Sequence, residues 1–154
     1  MFRTTAPGGY IEFQDYGCEV FLSGGKKLDS VDPDHPISSW IFYTTQAAER
    51  AGRPLLIARG MVERMKKAGF VDVKTQTVVW PLGPWPKQKG LKEIGKWGKI
   101  GMTESAHPFA LHLLTRDGWT KDRIRELADA TTASLDKGKY YAQAWFIYGR
   151  KPAT

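Results

Sequence analysis

Much of what this chain lacks narrows its chemistry. It carries one cysteine, Cys18, so it forms no internal disulfide, and no Cys/His spacing suggests a zinc site. No apolar run approaches the roughly 20 residues that cross a bilayer. The N-terminus does not show the basic, apolar, then small-residue order of a signal peptide. The cytoplasm is therefore the expected compartment, and no membrane partner is expected. Internal repeats, low-complexity tracts, paired-carboxylate motifs and a Ser/His/Asp signature are also absent from the sequence.

What is present fits an ordinary globular protein. The chain has 154 residues, 42% hydrophobic and 25% charged, enough for a single domain with one core. Its formal charge of +7 raises the question of nucleic acid. The lysines concentrate in "KQKGLKEIGKWGK", where Lys92, Lys96 and Lys99 would line one helix face. No helix-turn-helix, zinc-finger or RNA-binding signature accompanies them. A solvated helix face is the expectation, and nucleic acid is not an expected partner.

Along the chain, the Pro7-Gly8-Gly9 turn feeds "YIEFQDY", which alternates as a strand with Ile11, Phe13 and Asp15 on one side. From Gly17 to Pro36 the composition reads as a long loop, a length often used for lids. "SSWIFYTTQAAERAG" reads as a helix capped by Ser38 or Ser39 and ended by Gly52. Pro54 is expected to start a second helix, with Leu55, Ala58, Met61, Val62 and Met65 as its apolar stripe and Gly69 as its stop. "VDVKTQTVV" alternates as a strand. Two helices, weakened by Gly95, Gly98 and Gly101 and broken near "GMTESAHP", are expected between Leu91 and Arg116. "TKDRIRELADATTASLDKG" is the clearest helix, with Thr120 as cap, Asp122 at its positive end and Gly138 as stop. "YYAQAWFIYGRK" reads as a strand buried on both faces. The order suits a three-layer α/β protein.

Four stretches carry a resemblance. "APGGYIEFQDYGCEV", "AGFVDVKTQTVVWPLGPWPK", "LKEIGKW" and "AWFIYGRKP" together resemble the C-terminal half of fungal class I methyltransferases. These are the LaeA-like, S-adenosylmethionine-dependent type found in secondary metabolism. The resemblance runs from about Ala6 to Pro152. It implies that the Pro-Gly-Gly turn precedes the fifth strand of a seven-stranded sheet, and that "GFVDVKTQTVV" and "AQAWFIYGRK" form an antiparallel pair at one side. The helices between Lys87 and Arg116 would close over the acceptor substrate.

In that family a glycine-rich loop after the first strand, and an acid at the end of the second, hold the cofactor. Glycines let backbone approach the ligand and the carboxylate takes the ribose hydroxyls. "SGGKK" at 23–27 is only a glycine pair in a loop. The expected fold class is therefore α/β, a partial Rossmann-like sheet of about three strands with a helical cap. It would be one truncated methyltransferase-like domain over residues 1–154, with no cofactor site.

Candidate site residues follow from position and type. Asp15, with Gln14 and Tyr16 beside it, is expected at the carboxyl end of its strand, where ligands collect in open α/β sheets. His107, in the expected cap, is a candidate general acid or base. Trp40 and Tyr43, at i and i+3 on one helix, and Trp97, in the cap, are candidate walls for an apolar metabolite. Core packing explains the same aromatics, and loop or helix-end contacts explain Asp15 and His107.

Three functional readings remain. One is a cofactor-independent isomerase, cyclase or dehydratase acting on a polyketide- or terpenoid-like metabolite. Another is half of an S-adenosylmethionine-dependent O-methyltransferase, completed by a partner chain or by an N-terminal part missing from this sequence. The third is a non-catalytic binding or regulatory subunit. All three leave an open edge on the first strand, so the expected partners are a small metabolite and either a second copy or another chain covering that edge.

Overall fold

The computed structural model describes residues 1–153. The elements run β1 (Tyr10–Leu22), β2 (Lys27–Leu28), α1 (Pro36–Arg50), α2 (Ala58–Lys67), β3 (Val71–Pro81), α3 (Lys89–Leu114), α4 (Lys121–Lys137) and β4 (Tyr140–Arg150). One sheet takes the strands in the order β2-β1-β4-β3. The mixed α/β class is as expected, with the short β2 added to the three anticipated strands. The implied neighbours β3 and β4 are adjacent, and β4 lies between β3 and β1.

Several expectations are corrected by local physics, among them the start of the second helix, which is Ala58 and not Pro54. β1 does not stop at Tyr16 but continues to Leu22. Gly17 lies within the strand, where a side chain would strike the Trp145 indole and the Gln143 carbonyl, the close approach that a strand glycine permits. The supposed long loop is thus mostly strand and hairpin. Gly25 takes φ +86, and Leu22 N–H bonds Lys26 O at 2.9 Å, bringing Lys27 and Leu28 opposite Phe21 and Val20. The segment before α1 is pinned: Ser38 Oγ donates to Ser30 O at 2.6 Å and Ser39 Oγ to Asp32 O at 3.2 Å. Those two serines are therefore not caps; Pro36 opens the helix, after His35.

A further correction is α3, one helix of 26 residues that passes through Pro108. A proline inside a helix removes one ladder bond and clashes with the turn before it. Here Ala106, Ala110, Leu113 and Leu114 are buried on either side of it, and the packing of that face keeps the helix continuous. α4 matches its sequence signals closely. Thr120 Oγ1 accepts from Arg123 N–H at 3.3 Å, and Ile124, Ala128, Thr131 and Leu135 are buried.

The chain divides into two compact units. Unit 1 comprises Met1–Gly17, Leu56–Val78 and Gln143–Thr154, and unit 2 comprises Cys18–Leu55 and Val79–Ala142. In unit 2, Trp40, Ala47 and Ala48 of α1 meet Ala106, Ala110, Leu113 and Leu114 of α3, and Ile124 and Ala128 of α4. A second cluster joins Val20, Leu28, Ile37, Leu82, Leu135 and Tyr140. The hydrophobic cluster of unit 1 is built on buried Met65, Phe70 and Ile147, and partly buried Phe2, Ile11, Phe13, Met61, Val62, Val73 and Trp145 pack around them.

Candidate functional site

Two glycines of α3 set how closely it meets its neighbours. Gly95 and Gly98 are both buried. A methyl group at Gly95 would run into the Gly83 carbonyl, and one at Gly98 into the Pro81 carbonyl and Trp80 indole. The end of β3 and the residues just after it therefore lie directly on the bare backbone of the helix. Helix propensity is given up at these two positions for a close approach. Gly101, by contrast, faces open space.

Beside this seam lies a buried polar cluster. Tyr140 is 2% exposed; its hydroxyl lies 3.0 Å from His35 Nδ1, and the two rings meet edge-on at 5.8 Å. Burial pushes the Tyr140 hydroxyl pKa above its ordinary value; a hydrogen bond with Ser134 opposes the rise and the Asp32 charge adds to it. Trp85 Nε1 donates to Tyr140 O at 2.9 Å. Nearby, Glu19 is buried and pairs with Lys27 at 2.8 Å, as a buried carboxylate must.

The expected site residues fall as follows. Trp40 is in the unit 2 core, its Nε1 donating to Ala106 O at 2.9 Å and its ring 5.6 Å from Phe109. Tyr43 packs edge-on to Trp119 at 4.7 Å, with the Arg123 guanidinium 3.6 Å above the Trp119 ring. These two aromatics thus share one helix but serve packing contacts. Trp97, on α3, is 65% exposed. His107 is half-buried on α3, directly before Pro108. Of the lysine stripe, Lys96 pairs with Glu93 and Lys99 with Asp136.

Gln14, Asp15 and Tyr16 belong to unit 1 and lie mid-strand, because β1 runs on to Leu22. They therefore do not mark the strand's carboxyl end. Asp15 Oδ1 accepts from the Tyr16 backbone N–H at 2.8 Å, and Gln14 donates from its side-chain amide to Glu12 Oε1. Asp15 and His107 belong to different units. Among the described residues, no cluster of His, Cys, Asp and Glu could hold a metal ion, and no helix is long and apolar enough to cross a membrane.

Unit 1 contains an apolar cavity of about 310 Å³, lined chiefly by Phe2, Ile11, Phe13, Met61, Met65 and Phe70. Ile11 and Phe13 come from the inner face of β1, and Met61 and Met65 from successive turns of α2. Both patterns are legible in the sequence as core faces. Their spacing does not reveal that the two faces leave room between them. Neither Asp15 nor His107 lines this cavity.

The junction after β1 also bears on a nucleoside cofactor. A dinucleotide-type cradle needs a glycine-rich turn running from a strand into a helix N-terminus. Gly24 and Gly25 instead turn β1 back into β2, so the 23–27 segment does not fit that role.

No family model matches the chain. Its similarity to individual curated fungal proteins is nevertheless extensive. It is 27% identical over 156 residues to a probable methyltransferase, tdiE, of Emericella nidulans, which covers 99% of this chain and 48% of that protein. It is 34% identical over 158 residues to the secondary metabolism regulator laeA of Monascus pilosus, covering 100% of this chain and 42% of that protein. With methyltransferase pytC of Aspergillus terreus the identity is 28% over 122 residues, or 79% of this chain and 36% of that protein. The chain thus spans less than half the length of these relatives. The resemblance to LaeA-like fungal methyltransferases is borne out, and the partial coverage is consistent with a C-terminal half.

Proposed function

Taking as premise a chain that matches fungal methyltransferases and regulators of secondary metabolism over less than half their length, we propose that it is the acceptor-side portion of such a methyltransferase. It would act together with polypeptide equivalent to the part of those relatives that it does not cover. The observation that carries this reading is the near-complete alignment of the chain with a minor share of tdiE and laeA. The sheet supports it. β2 pairs with β1 at Val20 and Phe21, so among the described residues Tyr10–Asp15 has β4 as its one strand neighbour. A strand edge of that kind accepts another strand through its backbone groups. A partner chain there, or a second copy, completes the sheet.

In this reading S-adenosylmethionine supplies an electrophilic methyl group when it is bound, and the complementing polypeptide contributes its cradle. This chain's part is to orient the acceptor and to take the proton from its hydroxyl, with Asp15 or His107 as the candidate base. Trp97, exposed on α3, is the aromatic best placed to meet an acceptor. A regulatory role is the second reading, because proteins named as regulators are among the relatives. The isomerase, cyclase or dehydratase alternative has no comparable support.

The test is titration calorimetry with S-adenosylmethionine, first on the chain alone and then on the chain co-expressed with the N-terminal part of the Emericella nidulans relative. Binding by the pair only, followed by methyl transfer to fungal metabolite extract, is the expected result. Loss of turnover in Asp15→Asn or His107→Ala would assign the base. Tight binding by the chain alone, or failure to form a complex, would overturn the proposal. A complex that binds the cofactor but methylates nothing would favour the regulatory role.

A further inference from the structure

The unit 1 cavity is bounded by a wall that is built rather than accidental. Phe2 meets Phe70 edge-on at 5.0 Å. Its backbone carbonyl accepts from Lys151 Nζ at 3.0 Å, and the same ammonium donates to Thr5 O at 2.8 Å while lying 4.8 Å from the Phe2 ring. Gly69, at φ +101, leaves the space that the Phe2 ring occupies. The aromatic wall is therefore fixed from three sides. Met61 and Met65, also in the lining, offer thioether chains that adjust to irregular guests.

The cavity's volume of about 310 Å³ suits a guest of one or two fused rings, at the small end of ligand pockets. Two charged side chains, Glu12 and Arg64, also line it, together with Met1 and Ala68. The Glu12 carboxylate already accepts the Gln14 amide. Arg64 is exposed, and its guanidinium forms no hydrogen bond or ion pair with another described residue. An apolar chamber with one uncommitted guanidinium fits a guest with an apolar body and a planar anionic head. A guanidinium fork grips a carboxylate with two parallel bonds.

We propose that this cavity binds small amphipathic carboxylic acids, the ring or chain lying among Phe2, Phe13, Met61 and Met65 and the carboxylate on Arg64. The site belongs to unit 1 alone and stands whether or not the chain works within a methyltransferase.

The test uses the whole chain with carbon-labelled methionine methyl groups, followed by NMR. Three probes of one shape are titrated: 2-naphthoate, 2-naphthylmethanol and 2-naphthylmethylammonium. Saturable shifts at the Met61 and Met65 methyls are expected, with naphthoate binding about tenfold tighter than the alcohol. Arg64→Gln should abolish that preference and leave binding of the alcohol unchanged. Because Arg64 is exposed, an unaltered reference spectrum of the variant will show that its fold is intact. Absence of saturable shifts at both methionines would overturn the proposal. So would equal or tighter binding of the alcohol or the ammonium probe, or a preference that survives Arg64→Gln.

Discussion

The two units bury their apolar surface in opposite ways. Unit 2 brings three helices together through small residues: Ala47 and Ala48 on α1, Ala106 and Ala110 on α3, and Ala128 on α4. Its tightest approach sets the bare backbone at Gly95 and Gly98 against the Gly83 and Pro81 carbonyls, with the Trp80 indole beside them. Unit 1 relies on a few large side chains, Met65, Phe70 and Ile147, and leaves a cavity beside them. Backbone-to-backbone packing fills space without rotamer choice, so it is dense and unforgiving. Packing by a few large groups loses much when one is removed but adapts to an added guest.

That contrast can be broken from either side. Ile147, fully buried, should be the costliest deletion in unit 1. Ile147→Ala is expected to lose about 3–4 kcal/mol by urea denaturation, with amide protection lost first in unit 1. In unit 2 the damaging change is an addition. Gly95→Ala should cost about 2–3 kcal/mol, despite alanine's better helix propensity, and loosen protection around residues 80–98. A neutral or stabilising result would show that the Gly83 segment yields easily, and the contrast between the units would be lost.

A smaller effect comes from the polar cluster of unit 2. Tyr140→Phe removes the hydroxyl beside His35 and should cost about 1 kcal/mol. The raised pKa of Tyr140 means that the unfolded chain releases this proton first. The contribution is therefore complete below the ordinary tyrosine value of 10.0 and declines as pH rises above it. Tyr140→Phe should flatten that alkaline decline in a series of thermal melts. The smallest effect expected is at the exposed Arg50–Asp117 pair. The Arg50 guanidinium holds the Asp117 carboxyl below its ordinary range, so the pair stabilises at neutral pH and fades as acid titrates the carboxylate through its lowered value. Asp117→Asn should remove that acid-side slope and change neutral stability only slightly.

Elements whose signals lie within the element itself were legible in the sequence. α4 shows this best, since Thr120, Asp122, its spaced apolar residues and Gly138 all act locally. The neighbours β3 and β4 came from resemblance, not from periodicity. Features decided by distant contact were not legible. Gly17 looked like the start of a loop because nothing nearby announces the Trp145 indole that requires it. Pro108 looked like a helix end because the buried face that carries α3 through it is assembled from α1 and α4. Gly95 and Gly98 looked like weaknesses in a helix and proved to be its contact surface. Among candidate site residues, Trp40 and Tyr43 were rightly placed on one helix, but their spacing could not separate core from pocket.

The seam between α3 and the stretch from Trp80 to Gly83 also limits how this protein can change over time. Because no atom can be added at positions 95 or 98 without displacing a carbonyl, a lone substitution there meets a barrier that only a matching shift in the other stretch can lower. The two stretches, separated along the chain, are therefore expected to drift as a linked pair. A chimera that exchanges one of them with a relative should fare worse than a chimera that exchanges both.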